Sequence, residues 1–178
     1  METYLREQNF PDKLNSAVNQ ACKSKPADLS VAVADLLGGG ASAASSEKAI
    51  KEMIVASVKE GKDLFSDPSK QDAFNAKYYY KPDDFMFVRP SGNPMGLKMF
   101  EGMRKSGDVT MEKDEVKEFV KVEVLCGGRS AAAAWKQHSV FTYKDTPNND
   151  LALFSATLVL DGGLWKFVHV HRATGQEA

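Results

Sequence analysis

The stretch LWKFVHVHRATG, residues 164–175, decides how this chain is read. Aromatic and β-branched residues alternate with polar ones from Trp165 to Arg172, which is the pattern of a strand covered on one face. Period-two alternation assigns Phe167, His169 and His171 to one face and Lys166, Val168, Val170 and Arg172 to the other. The preceding DGG, residues 161–163, is hairpin chemistry, so a second strand, LALFSATLVL, runs up to it. Further back, SAAAAWKQHSVFTY and VKEFVKVEVLC are also strand-like, and the connections KDTPNND and GGR carry turn residues. Four long strands in succession predict an antiparallel meander.

Everything before the meander is mostly helical. Leu14, Ala17, Val18 and Ala21 recur at helical spacing, and Pro26 suits the first position of a second helix through Leu29, Val33, Leu36 and Leu37. Residues 1–40 are therefore expected to be a helical hairpin appendage. GGGASAASS follows, and residues 41–46 are expected to be a linker. A long helix from Ser46 and Glu47 carries Ile50, Ile54, Val58 and Phe65 on one stripe, interrupted at Gly61. SKQDAFNAKYY forms a further helical piece, Phe85 to Val88 a short strand, RPSGNP a sharp turn, and Gly96 to Lys105 another helix. The order predicts an α+β fold: a cone-shaped curved antiparallel sheet over residues 47–178, with helices packed on its concave face.

Composition narrows the function classes. With 178 residues, 43% hydrophobic, 26% charged and a formal charge of −1, the chain has the size for one core and no basic surplus for nucleic acid. No stretch has the apolar length of a membrane span or a secretory signal. Cys22 and Cys126 form no CxxC pattern, so the expected setting is the cytoplasm or another reducing, soluble compartment. The triple glycine at 38–40 lacks the GKS or GKT of a phosphate loop, and no cofactor motif appears.

On these residues the chain resembles the nuclear transport factor 2-like (NTF2-like) superfamily, also called the SnoaL-like or ketosteroid-isomerase-like fold, over roughly residues 47–175. WKFVHVHRATG is particularly similar to the last strand of the calcium/calmodulin-dependent protein kinase II association domain. That resemblance implies assembly into dimers or larger rings and a deep cationic pocket inside each cone. Arg172 then matches a pocket arginine and His138 falls near a second, while Ser155 or Ala156 stands where another arginine is expected. Kinase motifs are absent, so the resemblance carries no kinase activity.

The candidate site follows. Arg172, His138, Tyr79, Tyr80, Trp135 and Phe100 are the expected ligand pocket, with Tyr78 and Phe141 beside them, for a small anionic or polarised molecule. The same aromatic residues are equally explained as core. Phe167, His169 and His171 are the expected oligomer interface on the outer face. Residues 12–37 are a candidate attachment for a protein partner. A metal site would need His169 and His171 plus a third ligand such as His138, which is expected on the opposite, cavity side, so no metal is assigned. An isomerase, cyclase or dehydratase of this fold needs a carboxylate base near an oxyanion donor; Asp83 and Asp84 are candidates, although turn carboxylates after Pro82 explain them as well. Arg89 is expected to be a partly buried structural cation.

Overall fold

A computed structural model describes residues 10–24, 33 and 43–177. Helix α1 (Phe10–Ser24) buries Ala17 and Ala21. The second helix of the expected hairpin lies outside the described residues, apart from Val33, which is helical. Helix α2 (Ala43–Asp63) begins earlier than expected. Residues 43–46, read as linker, are its first turn, because alanine is the strongest helix former and Ser46 is buried at 1% exposure.

Ile50 and Ile54 are fully buried and Val58 nearly so, which confirms the stripe read from the sequence. Each such side chain removes enough apolar surface to contribute about 1.5–3 kcal/mol. They press α2 mainly against β3. A 3-10 turn at Pro68–Lys70, opened by Asp67 accepting from the Ser69 backbone N–H at 3.3 Å, leads into α3 (Gln71–Tyr78). After a second 3-10 turn at Pro82–Asp84 come β1 (Met86–Val88), β2 (Pro94–Gly96) and α4 (Leu97–Lys105). RPSGNP therefore closes a small β-hairpin, with Gly92 in the left-handed region at φ 78°.

The long strands are β3 (Val109–Leu125), β4 (Ser130–Tyr143), β5 (Thr146–Asp161) and β6 (Leu164–Arg172), with a short β7 (Gln176–Glu177) on β5. The sheet order is β2-β1-β6-β5-β4-β3, an open curved sheet rather than a closed barrel. All pairings in the meander are antiparallel, and β1 joins β6 in parallel. Two differences from the sequence reading concern turns. β3 starts at Val109, ahead of the VKEFVKVEVLC segment, and TPNND belongs to β5, leaving only Lys144 and Asp145 as the turn.

Curvature has a local cause. Register shifts interrupt the β3–β4 pairing at three places, and β5 pairs Thr157 with His169 but Leu158 with Phe167, so Val168 is an extra residue in β6. Such bulges bend a strand and increase its twist. The core lies on the concave side, where Ile50, Ile54 and Leu64 meet Trp135, Phe154, Leu158, Trp165 and Phe167.

Candidate functional site

The cone encloses a cavity of about 320 Å³. Its walls are largely aromatic: Tyr79 follows α3, Phe87 comes from β1, Phe100 from α4, Trp135 and Phe141 from β4, Phe154 from β5 and Phe167 from β6. Trp135 stacks on Phe154 with centroids 5.5 Å apart, and Phe87 stacks on Phe100 at 5.0 Å. Into this apolar lining project Arg89, Arg104, Asp114, Gln137, Ser139 and Arg172.

Strand parity explains the polar set on β4. Trp135, Gln137, Ser139 and Phe141 share the concave face. Trp135 Nε1 donates to Gln137 Oε1 at 2.9 Å, and Gln137 Nε2 donates to Asp114 Oδ1 at 2.7 Å. Ser139 Oγ donates to the same Asp114 oxygen, also at 2.7 Å. Burial pushes the Asp114 carboxyl above the ordinary carboxylate range, while the Ser139 and Gln137 hydrogen bonds and the charges of Arg172 and Arg104 pull against that rise.

Arg104 stands on the apolar stripe of α4 with Leu97 and Phe100, and it is 5% exposed. Its guanidinium lies 4.2 Å from the Phe100 ring centroid, 5.3 Å from Phe74 and 5.7 Å from Phe65. Nη1 donates to Gln71 Oε1 at 3.2 Å; Gln71 in turn donates to Asn75, and Asn75 donates to Glu101. Burial raises the pKa of the Tyr79 hydroxyl, and the charge and hydrogen bond of neighbouring Arg104 oppose the shift. The Nε atoms of both Arg89 and Arg104 are buried without a hydrogen-bond partner.

The expected pocket is assembled in part. Arg172, Tyr79, Trp135 and Phe100 line the cavity, as does Phe141. His138 does not: it lies on the outer face, where Nε2 is 2.7 Å from Asn149 Oδ1. Trp135 and His138 are an odd number of positions apart, so one regular strand cannot turn both inward. Tyr80 also faces away from the cavity that its neighbour Tyr79 lines, and its backbone N–H donates to the Phe167 carbonyl at 2.8 Å. Tyr78 is buried against Phe74 rather than in the lining.

Phe167 needs the opposite correction. Expected on the outer face with the histidines, it is 4% exposed and part of the cavity wall. The extra residue Val168 resets the alternation, so Phe167, Val170 and Arg172 all point inward while His169 and His171 stay outside. Asp83 and Asp84 are exposed in their turn, and the acid inside the cone is Asp114. Arg172 is tied to Asp150 by an ion pair of 2.6 Å. Arg89, expected as a structural cation, lines the cavity and makes no ion pair among the described residues. Among the described residues no three His, Cys, Asp or Glu side chains gather as a metal site, and no helix is long and apolar enough to cross a membrane.

Asp114 and Arg104 carried signals that the sequence reading passed over. Asp114 lies two residues before the VKEFVKVEVLC run, where alternation alone does not mark it as part of a strand. Arg104 falls at helical spacing from Leu97 and Phe100, a cation on an apolar stripe.

Comparison with known proteins agrees with this fold. Residues 52–178 match the family model described as "Protein of unknown function (DUF3804)". An NTF2-like protein of unknown function from Prochlorococcus is 31% identical, with 75% of this chain and 95% of that chain covered and a TM-score of 0.61. A putative calcium/calmodulin-dependent kinase II association domain from Exiguobacterium sibiricum is 12% identical over 72% of this chain and 95% of its own, with a TM-score of 0.55. A protein from Caulobacter vibrioides with a cystatin-like fold is 17% identical over 73% of this chain and 89% of its own, with a TM-score of 0.53. No curated protein matches the chain.

Proposed function

We propose, given that this chain belongs to the NTF2-like proteins and to the family described as protein of unknown function DUF3804, that it is an association domain whose cone holds a small molecule. Copies pair through the outer face of the sheet, and each cavity takes a compact, largely apolar ligand with an anionic or polarised group. The observation that carries the reading is the cavity itself: about 320 Å³, walled by aromatic rings and furnished with a few convergent polar groups.

Pairing is supported by the character of the outer face. Leu153 is 45% exposed there, with Ala132 and Thr157 exposed nearby and His169 and His171 half-buried beside them. The Exiguobacterium neighbour is described as a putative association domain, which accords with such a role. Residues 12–37 are the proposed attachment for a protein partner. Light scattering on the full chain tests the assembly: a dimer or larger ring that Leu153→Arg converts to monomer supports it, and a wild-type monomer at micromolar concentration refutes it.

Asp114 favours a second reading, an isomerase, cyclase or dehydratase of the SnoaL or ketosteroid-isomerase type acting on a small organic substrate. A partly buried carboxyl whose proton affinity is raised by desolvation is suited to proton transfer at a substrate carbon. Solvent-deuterium incorporation into a panel of cyclic ketones, lost in Asp114→Asn, would distinguish it from simple binding.

A further inference from the structure

We infer that Arg104 is the anchor for the ligand's anionic group, and that this group is a carboxylate on a compact aromatic body. The inference rests on the reading of the cone as a small-molecule site and adds the ligand class and the residue that selects it.

Charge pairing within the lining sets Arg104 and Arg89 apart from Arg172, and burial then distinguishes Arg104 from the half-buried Arg89. Arg172 is neutralised by Asp150 at 2.6 Å. Arg104 has no carboxylate within ion-pair distance among the described residues, although it is buried at 5% exposure. The acids near it are occupied: Glu101 accepts from Asn75 at 2.6 Å, and Asp114 accepts from Gln137 and Ser139. Desolvating a cation without a counter-charge is unfavourable, and the three phenylalanine rings around Arg104 offset only part of that cost. Its buried Nε–H also lacks an acceptor. A ligand anion supplies both the charge and the acceptor.

The geometry of the donor selects the anion. A guanidinium held over aromatic rings offers its remaining N–H groups in its own plane, and a carboxylate matches that fork with two parallel hydrogen bonds. The charge count agrees. With the Arg172–Asp150 pair cancelling, Arg89 and Arg104 face a single lining acid, Asp114, and leave one positive charge in excess when that acid is ionised. A monoanion neutralises it. The aromatic walls formed by Tyr79, Phe87 and Trp135 accept a flat apolar body.

Calorimetric titration of the full chain with benzoate, phenylacetate and 3-phenylpropionate, each beside its primary amide, tests this. At least one acid is expected to bind tenfold or more tightly than its amide. Arg104→Met should erase that preference while amide binding persists, Arg104→Lys should reduce it because an ammonium lacks the fork, and the exposed Lys98→Met on the same helix should preserve it. Thermal melting supplies a second readout: without ligand, Arg104→Met should melt at or above the wild-type temperature, since an unpaired buried cation has gone. Should Arg104→Met fail to fold, Arg104→Lys carries the test. Equal binding of acids and amides to wild type overturns the inference while leaving the small-molecule reading intact. So does a preference that survives in Arg104→Met, whether it then disappears in Arg89→Met or in Arg172→Met. If neither acids nor amides bind, the small-molecule reading falls and this inference falls with it.

Discussion

Gln137 Nε2 donates to Asp114 Oδ1 at 2.7 Å across the β3–β4 pair, fixing one carboxylate oxygen inside a largely aromatic cone. Because burial raises the Asp114 pKa, the folded chain holds this proton more tightly than the unfolded chain. Stability from this group is therefore greatest below the unfolded carboxylate range and falls as pH rises through the folded pKa. Asp114→Asn keeps an acceptor for Gln137 and Ser139 and removes the charge. It should flatten that slope and raise stability at neutral pH by about 1 kcal/mol, read from urea unfolding at several pH values.

His169 titrates with the opposite consequence. Burial, with the neighbouring His171 adding a smaller effect, lowers its pKa below the ordinary imidazole range. Its contribution is present above the unfolded imidazole pKa and is lost as pH falls through the folded value. His169→Gln should lessen the acid destabilisation that the wild type shows as pH falls below about 6.5. Thermal melting of both proteins across that range checks it.

Gly61 stands in the last turn of α2, where the helix lines the cavity. A Cβ added there would sit 3.5 and 3.7 Å from Phe74 ring carbons and 3.8 Å from Arg104 Nη2, all ordinary contacts. Gly61→Ala should stabilise the fold by about 1 kcal/mol through helix propensity. It should also weaken binding of aromatic acids by narrowing the cavity beside Arg104. A higher melting temperature combined with lower calorimetric affinity is the expected pair of results.

Lys144 and Asp145, at φ 47° and 63°, form the two-residue turn between β4 and β5 without a glycine. Left-handed backbone is costly for side chains with a Cβ, and turns of this kind favour glycine in the second place. Asp145→Gly should gain about 0.5–1 kcal/mol in denaturant unfolding, reduced somewhat by the greater freedom glycine brings to the unfolded chain. No change, or a loss, would mean that the Asp145 side chain compensates its backbone.

The sequence by itself determined the class of fold. Ile50, Ile54 and Val58 at helical spacing, and the alternating Trp165 to Arg172, are local patterns whose period follows from helix and strand geometry alone. The same parity also placed Trp135 toward the core, and applied consistently it would have excluded His138 and admitted Gln137 and Ser139.

Tertiary structure decided the contents of the cone. Phe167 and Arg172 are an odd number of residues apart, yet both face inward, because β6 carries one residue more than β5 between the pairs Leu158–Phe167 and Thr157–His169. A bulge depends on how two strands meet, and no single strand's sequence states where that occurs. Arg104 and Asp114 likewise share a cavity only because α4 closes over the concave face of a bent sheet. Their missing counter-charge and their raised proton affinity are properties of that enclosure: desolvation acts on a group according to what surrounds it, not according to its neighbours in the chain.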